Sequence, residues 1–457
     1  KKSNQLMVDL RLFSHFRNCI PNLLTFYYVY DIIITGDIMK YIKRTIEEKL
    51  ISMIDNYQVI MITGPRQVGK STVLNYISKK LDKKINRVTL DDYKLREQAI
   101  NDPELFLRTH DTPLIIDEFQ KAPEILSYIK MIVDNENEKI IFGEKEKAET
   151  LYFLTGSQIF ETMKEVSESL AGRVGILDLY GLTEREIENK KDELFIPKIE
   201  DIKKRVRTEY KTTLNLYKKI FKGTYPELYI ASKEIEQYYS DYLKTFMEKD
   251  IRKFINISDE NKFIKYISSL AARTGQEFIA TSVASEAGID DKTATSWLSV
   301  LKNTGLIYLL QPYMNNAVGR AIKREKIYFM DTGLACYLAG YVDPITLERS
   351  AYSGPIFETY VVTEIIKSFV NHGKDARKHL YFYRDNSQKE IDLLINYNKV
   401  MYPIEIKKSA NPNKDAIKNF DIVNKFEPEK GNGIVLCMTK DIIAIDENNY
   451  MVPIEYI

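Results

Sequence analysis

The stretch Gly64-Pro65-Arg66-Gln67-Val68-Gly69-Lys70-Ser71 constrains this chain more than any other. An apolar run over residues 59–63 precedes it, and a helical pattern over 71–81 follows. A short run that is apolar at every residue reads as a buried parallel strand, so the motif sits on a strand-to-helix turn. The spacing meets G-x-x-x-x-G-K-[ST] at every fixed position. Gly64 and Gly69 let the backbone curl so that its N–H groups converge on phosphate oxygens. The helix N-terminus adds partial positive charge at the same point.

Each residue of the turn has an expected task. Lys70 reaches the β- and γ-phosphates of ATP, and the Ser71 hydroxyl ligates Mg2+. Gly64, Pro65, Arg66, Gln67, Val68, Gly69, Lys70, Ser71 and Thr72 are the expected nucleotide contacts. Residues 114–118 read as a second hydrophobic strand ending in two carboxylates. Asp117 is expected in the magnesium shell, and Glu118 is expected to polarise the attacking water, which argues for hydrolysis as well as binding. Residues 151–155 form a third strand running into Gly156-Ser157-Gln158. If that strand lies between the other two, a polar residue at its end faces the γ-phosphate; Ser157 is the expected sensor, with Gln158 second. Runs at 87–91 and 176–179 supply two further strands. Five strands with intervening helices predict an α/β doubly wound parallel sheet with its ligand at the carboxyl ends.

The order of these strands resembles the AAA+ ATPase superfamily. The phrases TGPRQVGKST, LIIDEFQKAPEIL, YFLTGSQ and ESLAGRVGILDLYGLTEREI resemble one prokaryotic family within it, whose members carry a carboxy-terminal domain of unknown function. The resemblance covers most of the chain from Met39 and implies ATP binding without supplying a substrate. It also makes Arg173 a candidate to complete a neighbouring subunit's site in a homo-oligomer, or to sense phosphate in its own; a surface ion pair is the alternative.

The rest of the 457-residue chain is too long for one ordinary core. Residues 184–253 are rich in Lys, Glu and Tyr at helical spacing, broken by a turn at Gly223, and are expected to form a helical lid over the nucleotide. Residues 261–313 read as helix, short helix ending at Gly288, helix, then strand, the outline of a winged helix-turn-helix. Its third helix would present Lys292, Thr293, Thr295, Ser296 and Ser299 to DNA or RNA. Eight basic and four acidic side chains between residues 262 and 324 favour phosphate contact only mildly, and Asp290 and Asp291 oppose it. A winged helix used for protein packing fits equally well.

The last third carries Glu358 on a helix, a strand at 380–384, and a hairpin with Asp392 on one arm and Glu405-Ile406-Lys407 on the other. Residues two apart on a strand face the same side, so Glu405 and Lys407 share a face that Asp392 can join. Two carboxylates would bind Mg2+ while the lysine orients or deprotonates a water. This resembles the PD-(D/E)xK restriction-endonuclease-like superfamily, although Ile391 stands where that motif has proline. The resemblance implies Asp392 and Glu405 as metal ligands, Lys407 as the catalytic lysine and Glu358 as accessory acid. A charged hairpin without chemistry, or a nuclease-like fold that only binds, remain alternatives.

The expected organisation is an extension at 1–38, an AAA+ domain at 39–183, a helical lid at 184–255, a winged helix at 256–325 and a nuclease-like α/β domain at 326–457. The apolar run at 20–34 is interrupted by Pro21, Asn22 and Asp31 and is short for a membrane span. The helical pattern opening at Met39 makes that methionine the expected native start. Cys19, Cys336 and Cys437 are far apart and form no disulfide framework, which places the chain in a reducing, cytoplasmic compartment. Lys plus Arg at 66 against Asp plus Glu at 65 gives no overall charge argument for nucleic acid. The leading expectation is an ATP-driven protein acting on nucleic acid. Its rival is a nucleotide-dependent signalling switch whose last two modules bind proteins.

Overall fold

The computed structural model describes residues 41–81, 84–156, 166, 168–209, 212–252, 259–315 and 324–457. Ser157, Gln158 and the extension at 1–38 lie outside them. Five parallel strands form the first sheet: β1 (Val59–Thr63), β2 (Asn86–Thr89), β3 (Leu114–Asp117), β4 (Tyr152–Thr155) and β5 (Val174–Asp178), in the spatial order β2-β3-β4-β1-β5. The strands β1, β3 and β4 are buried at every residue, as their apolar sequences require. Strand β4 lies between β3 and β1, the condition attached to the sensor expectation, while the sensor residues themselves are outside the described residues.

The first helix, α1 (Ile46–Met53), is shorter than the sequence pattern beginning at residue 39. The cause is local. Arg44 is buried and donates to the carbonyls of Val68 at 2.9 Å and Tyr180 at 2.8 Å, which holds the preceding residues out of the helix. Helix α2 (Lys70–Lys80) follows the glycine turn, and α3 (Ile125–Ile141) follows the carboxylate strand.

The lid segment contains α4 (Thr213–Lys222) and α5 (Ile235–Phe246), the latter running into a single wider turn at Met247–Ile251. Next come α6 (Glu260–Ala272), α7 (Ala280–Ala287) and α8 (Asp291–Asn303). Gly288 caps α7 at φ +68°, and the Asp290 side chain accepts the Thr293 N–H to start α8. The strands β6 (Ile307–Leu310) and β7 (Lys326–Phe329) close this module as an antiparallel ribbon, followed by α9 (Thr332–Leu338).

The carboxy-terminal module opens with α10 (Ser353–Asn371), then β8 (Leu380–Arg384), β9 (Glu390–Tyr397) and β10 (Val400–Lys407) as an antiparallel meander. Asn398 and Lys399 both have positive φ, as a two-residue hairpin turn needs. The chain then crosses over, and β10 pairs in parallel with the two-residue β11 (Glu429–Lys430) and with β12 (Gly433–Cys437). Strand β13 (Ile443–Ala444) is antiparallel to β14 (Asn449–Pro453), which lies parallel to β12. One apolar core runs from Ile46 through the lid and ribbon to Ile457, so these modules share their interior. No helix among the described residues is long and apolar enough to cross a membrane.

Candidate functional site

The glycine turn is built as its sequence requires. Gly64 has φ +139°, and a Cβ there would lie 2.0 Å from the Leu179 carbonyl oxygen, so no side chain fits. Gly69 is left-handed at φ +93° and starts α2. The Lys70 ammonium is buried in the curl and donates to the Gly64 and Pro65 carbonyls at 3.0 and 2.8 Å. Burial pushes its pKa down to about 8, with Arg66 adding to the fall and Glu118, Asp250 and Asp117 opposing it.

The catalytic-strand residues converge on the same point. The Ser71 hydroxyl donates to Asp117 Oδ1 at 2.7 Å, and Thr155 at the end of β4 donates to the same oxygen. Arg87 on β2 reaches Asp117 Oδ2 at 2.9 Å. Thr155 and Arg87 are functional candidates that the sequence reading passed over. The available signal was register, since Thr155 lies directly opposite Asp117 on the neighbouring strand. Glu118 adopts a left-handed backbone (φ +57°) and accepts from Gln120 Nε2 at 2.5 Å. Its side chain lines a cavity of about 320 Å³ with Arg66, Gln67, Gly69, Lys70, Ser71 and Thr72. Val68 is buried behind the loop, where its carbonyl takes the Arg44 guanidinium.

Thr245 of α5 and Lys249 just after it complete the lining of this cavity. Three contacts tie later segments to the loop. The Arg66 guanidinium bonds both carboxylate oxygens of Asp250, with Nη2 to Oδ1 at 3.0 Å and Nε to Oδ2. The Tyr238 hydroxyl donates to Gln67 Oε1 at 2.7 Å. Pro65 packs on Gly305, where an added Cβ would approach Pro65 Cδ to 2.9 Å. Burial alone would lower the Arg66 pKa, but the Asp250 carboxylate outweighs it and holds the guanidinium above its ordinary value.

Arg173 is not brought to this mouth. It precedes Val174, which pairs with Val59 at the amino end of β1, whereas the glycine turn leaves the carboxyl end. A five-residue strand at ~3.3 Å per residue separates the two edges by about 15 Å. Its guanidinium bonds Asp134 on α3 and the Ala171 carbonyl. The expectation that Arg173 senses phosphate in its own chain is therefore not met.

The carboxy-terminal residues do assemble. The hairpin register pairs Ile404 with Leu393, which sets Asp392 beside Glu405. Asp392 is buried and accepts the Ile406 N–H at 2.8 Å. Burial, then Glu358 and Glu405, raise its pKa well above the usual carboxylate range, against the pull of Lys326 and Lys407. Lys407 Nζ lies 2.6 Å from Glu405 Oε1 and 4.0 Å from Asp392 Oδ2. Glu358 accepts from Tyr328 at 2.6 Å and from Lys326 at 3.2 Å, and Lys326 also lies 2.5 Å from Glu390. Sequence reasoning missed Lys326 and Tyr328; their only trace is the i, i+2 spacing on a short strand. Among the described residues no group of three or more Asp, Glu, His or Cys side chains is arranged to hold a metal ion. The three carboxylates meet other partners here: Asp392 the Ile406 N–H, Glu405 the Lys407 ammonium, and Glu358 the Tyr328 hydroxyl and the Lys326 ammonium. A cleft of about 900 Å³ opens beside Glu358, Lys326 and Glu390, between the helical module and the carboxy-terminal sheet.

Comparisons with known proteins fall into the same three parts. Residues 56–188 match the AAA domain, residues 213–344 match a domain of unknown function (DUF8612), and residues 353–457 match a second one (DUF4143). Two uncharacterized proteins, from Mycobacterium bovis and Mycobacterium tuberculosis, are each 26% identical over 358 residues, covering 78% of this chain and 71% of theirs. Among solved structures, a Walker-type ATPase of Pyrococcus abyssi aligns at 12% identity and TM-score 0.40, over 64% of this chain and 94% of that one. The Aeropyrum pernix ORC2 protein aligns at 13% and 0.32, over 70% and 93%. The Thermotoga maritima RuvB Holliday junction branch migration motor aligns at 15% and 0.29, over 57% and 88%. With its β2-β3-β4-β1-β5 sheet, its glycine turn and its paired acidic strand end, the amino-terminal part of this chain is similar to P-loop ATPase domains of the AAA type.

Proposed function

We propose that this chain is a magnesium-dependent AAA+ ATPase that uses ATP binding and hydrolysis to reposition its later modules on nucleic acid. The observation that carries the reading is the direct grip of those modules on the phosphate-binding turn, through Asp250 on Arg66, Tyr238 on Gln67 and Gly305 on Pro65. A change in the turn on nucleotide exchange cannot leave these contacts untouched.

At the ATP site, main-chain N–H groups of the turn and Lys70 neutralise the β- and γ-phosphates, and Glu118 takes the proton of the attacking water. Ser71 and Asp117 supply adjacent hard oxygens, which suits Mg2+ shared with the phosphates. The metal supplies charge neutralisation on the transferred phosphoryl group. Ser157 is the γ-phosphate sensor, and Arg173 completes the site of a neighbouring subunit in a cytoplasmic homo-oligomer.

The lid at 184–255 transmits the change to a winged helix at 256–325, whose α8 faces DNA or RNA with Lys292, Thr293 and Thr295. A helix, an antiparallel meander and a crossover strand parallel to β10 support a nuclease-like reading of the carboxy-terminal fold. With Lys326 bound to its carboxylates, we assign this part a binding role and no cutting step. The second reading, a switch whose last modules bind proteins, is favoured by the extensive burial of α10 and by the mixed charge of the cleft.

ATP turnover measured with and without single- and double-stranded DNA and RNA separates the two. Stimulation that is lost on Lys292→Ala with Thr295→Ala supports action on nucleic acid. Turnover indifferent to every nucleic acid sinks it in favour of the switch.

A further inference from the structure

Four carboxylates crowd the inner face of the carboxy-terminal module: Glu358, Glu390, Asp392 and Glu405. Like charges so close cannot all ionise unless cations are near. Lys407, from the same hairpin, serves Glu405 and lies 4.0 Å from Asp392. Arg384 on β8 lies 3.8 Å from Glu390, and a further cation comes from outside the module. Lys326 begins β7 and is only 3% exposed, and its ammonium bridges Glu390 at 2.5 Å and Glu358 at 3.2 Å. Its backbone is fixed from both sides, since β7 pairs with β6 and residue 326 also bridges to Glu277. Two residues on, Tyr328 donates to the same Glu358 oxygen, so one strand face delivers both groups.

We infer that Lys326 is the resident cation of this cluster, and that it makes the cluster a metal-free junction holding the β6–β7 ribbon on the carboxy-terminal sheet. This departs from the metal-ligand roles expected for Glu358, Asp392 and Glu405. It accepts the placement of those side chains but not the nucleic-acid reading, and stands or falls separately from it. A buried ammonium on two carboxylates fills the space and offsets part of the negative charge that would otherwise attract a divalent ion. Its removal leaves the half-buried Glu358 and Glu390 short of counter-charge beside the buried Asp392, which is destabilising. A small, doubly charged cation then becomes the best available replacement.

The test uses the full chain without nucleotide and Mn2+ as the probe, read by electron paramagnetic resonance of free Mn2+ and by thermal melting. Neither readout involves cleavage or ATP turnover. The parent and the double variant Asp392→Asn with Glu405→Gln are expected to bind Mn2+ alike. Lys326→Met is expected to melt at lower temperature, to recover on adding Mn2+, and to bind Mn2+ at least tenfold more tightly than the parent. Lys326→Arg, which restores a cation, is expected to behave as the parent in both readouts. The inference is overturned if the acidic double variant loses tenfold or more of the parent's Mn2+ affinity. It is equally overturned if Lys326→Met melts with the parent or gains no Mn2+ response. Should Lys326→Met fail to fold, the comparison of parent, Lys326→Arg and the acidic double variant decides by the same criteria.

Discussion

The pair Arg66 and Asp250 joins the phosphate-binding turn to the lid, and its strength can be worked from the geometry. Asp250 is 1% exposed, while the Arg66 side chain retains 19%. Removing one partner of a buried ion pair costs about 3–5 kcal/mol, because the other charge is left unpaired. Arg66 is partly wet and also feels Glu118, so Asp250→Ala is expected to fall just below that range, at about 2–3 kcal/mol. Arg66→Ala leaves a nearly dry carboxylate and is expected to cost about as much. The double variant is expected to cost about 1.5–2 kcal/mol less than the two singles together, since neither charge is then orphaned. Urea unfolding followed by fluorescence is suited to this, because Trp297 is the chain's single tryptophan and is buried in α8 beside Phe263 and Tyr266. A fluorescent ATP analogue measures the nucleotide in parallel. Free energies for the singles that add to the double within about 0.5 kcal/mol would refute the coupling.

Four other outcomes follow from the site and the packing. Glu118→Gln is expected to lower ATP turnover by about 10²–10⁴-fold with ATP affinity within a few-fold of the parent, checked by phosphate release and analogue binding. Lys70 has a folded-state pKa of about 8, and bound phosphate favours its charged form, so ATP affinity should be flat below pH 8 and fall by up to about tenfold per unit above it; Lys70→Arg should abolish that slope in a calorimetric pH series. Gly64→Ala places a Cβ 2.0 Å from the Leu179 carbonyl and is expected to abolish nucleotide binding, whereas an unchanged dissociation constant would show that β5 can yield. A fragment containing residues 353–457 alone is expected to aggregate, judged by light scattering, because α10 is buried on nearly every face against elements outside the fragment.

The nucleotide site was legible because every constraint on it is local. The glycines, Lys70 and Ser71 occupy one turn, and the strand carrying Asp117 and Glu118 declares itself by an apolar run ended by charge. Five parallel strands in one sheet were legible too, since strand–helix alternation implies them, but their order was not. What stayed hidden depends on contacts distant in sequence. Nothing near Arg66 announces Asp250, 184 residues away, and nothing near Glu358 announces Lys326. The shortening of α1 is another such case, since helical spacing says nothing of the carbonyls that capture Arg44. The paired Asp392, Glu405 and Lys407 were visible from hairpin spacing, but spacing reports which side chains share a face and not which counter-charge they meet there.

The ribbon strand β7 has a second tether beyond its last residue. Asp331 accepts from the Thr224 N–H at 2.6 Å and from the Tyr239 hydroxyl at 2.8 Å, both in the lid. Lys326 and Asp331 thus hold the two ends of a short stretch made of β7 and the bend at Met330. A stretch this short, anchored by a buried charged side chain at each end, has little slack to absorb a shift at one terminus. A displacement of the tyrosine-lined helices has to be met either by release of Asp331 or by sliding the ammonium along its acidic bed.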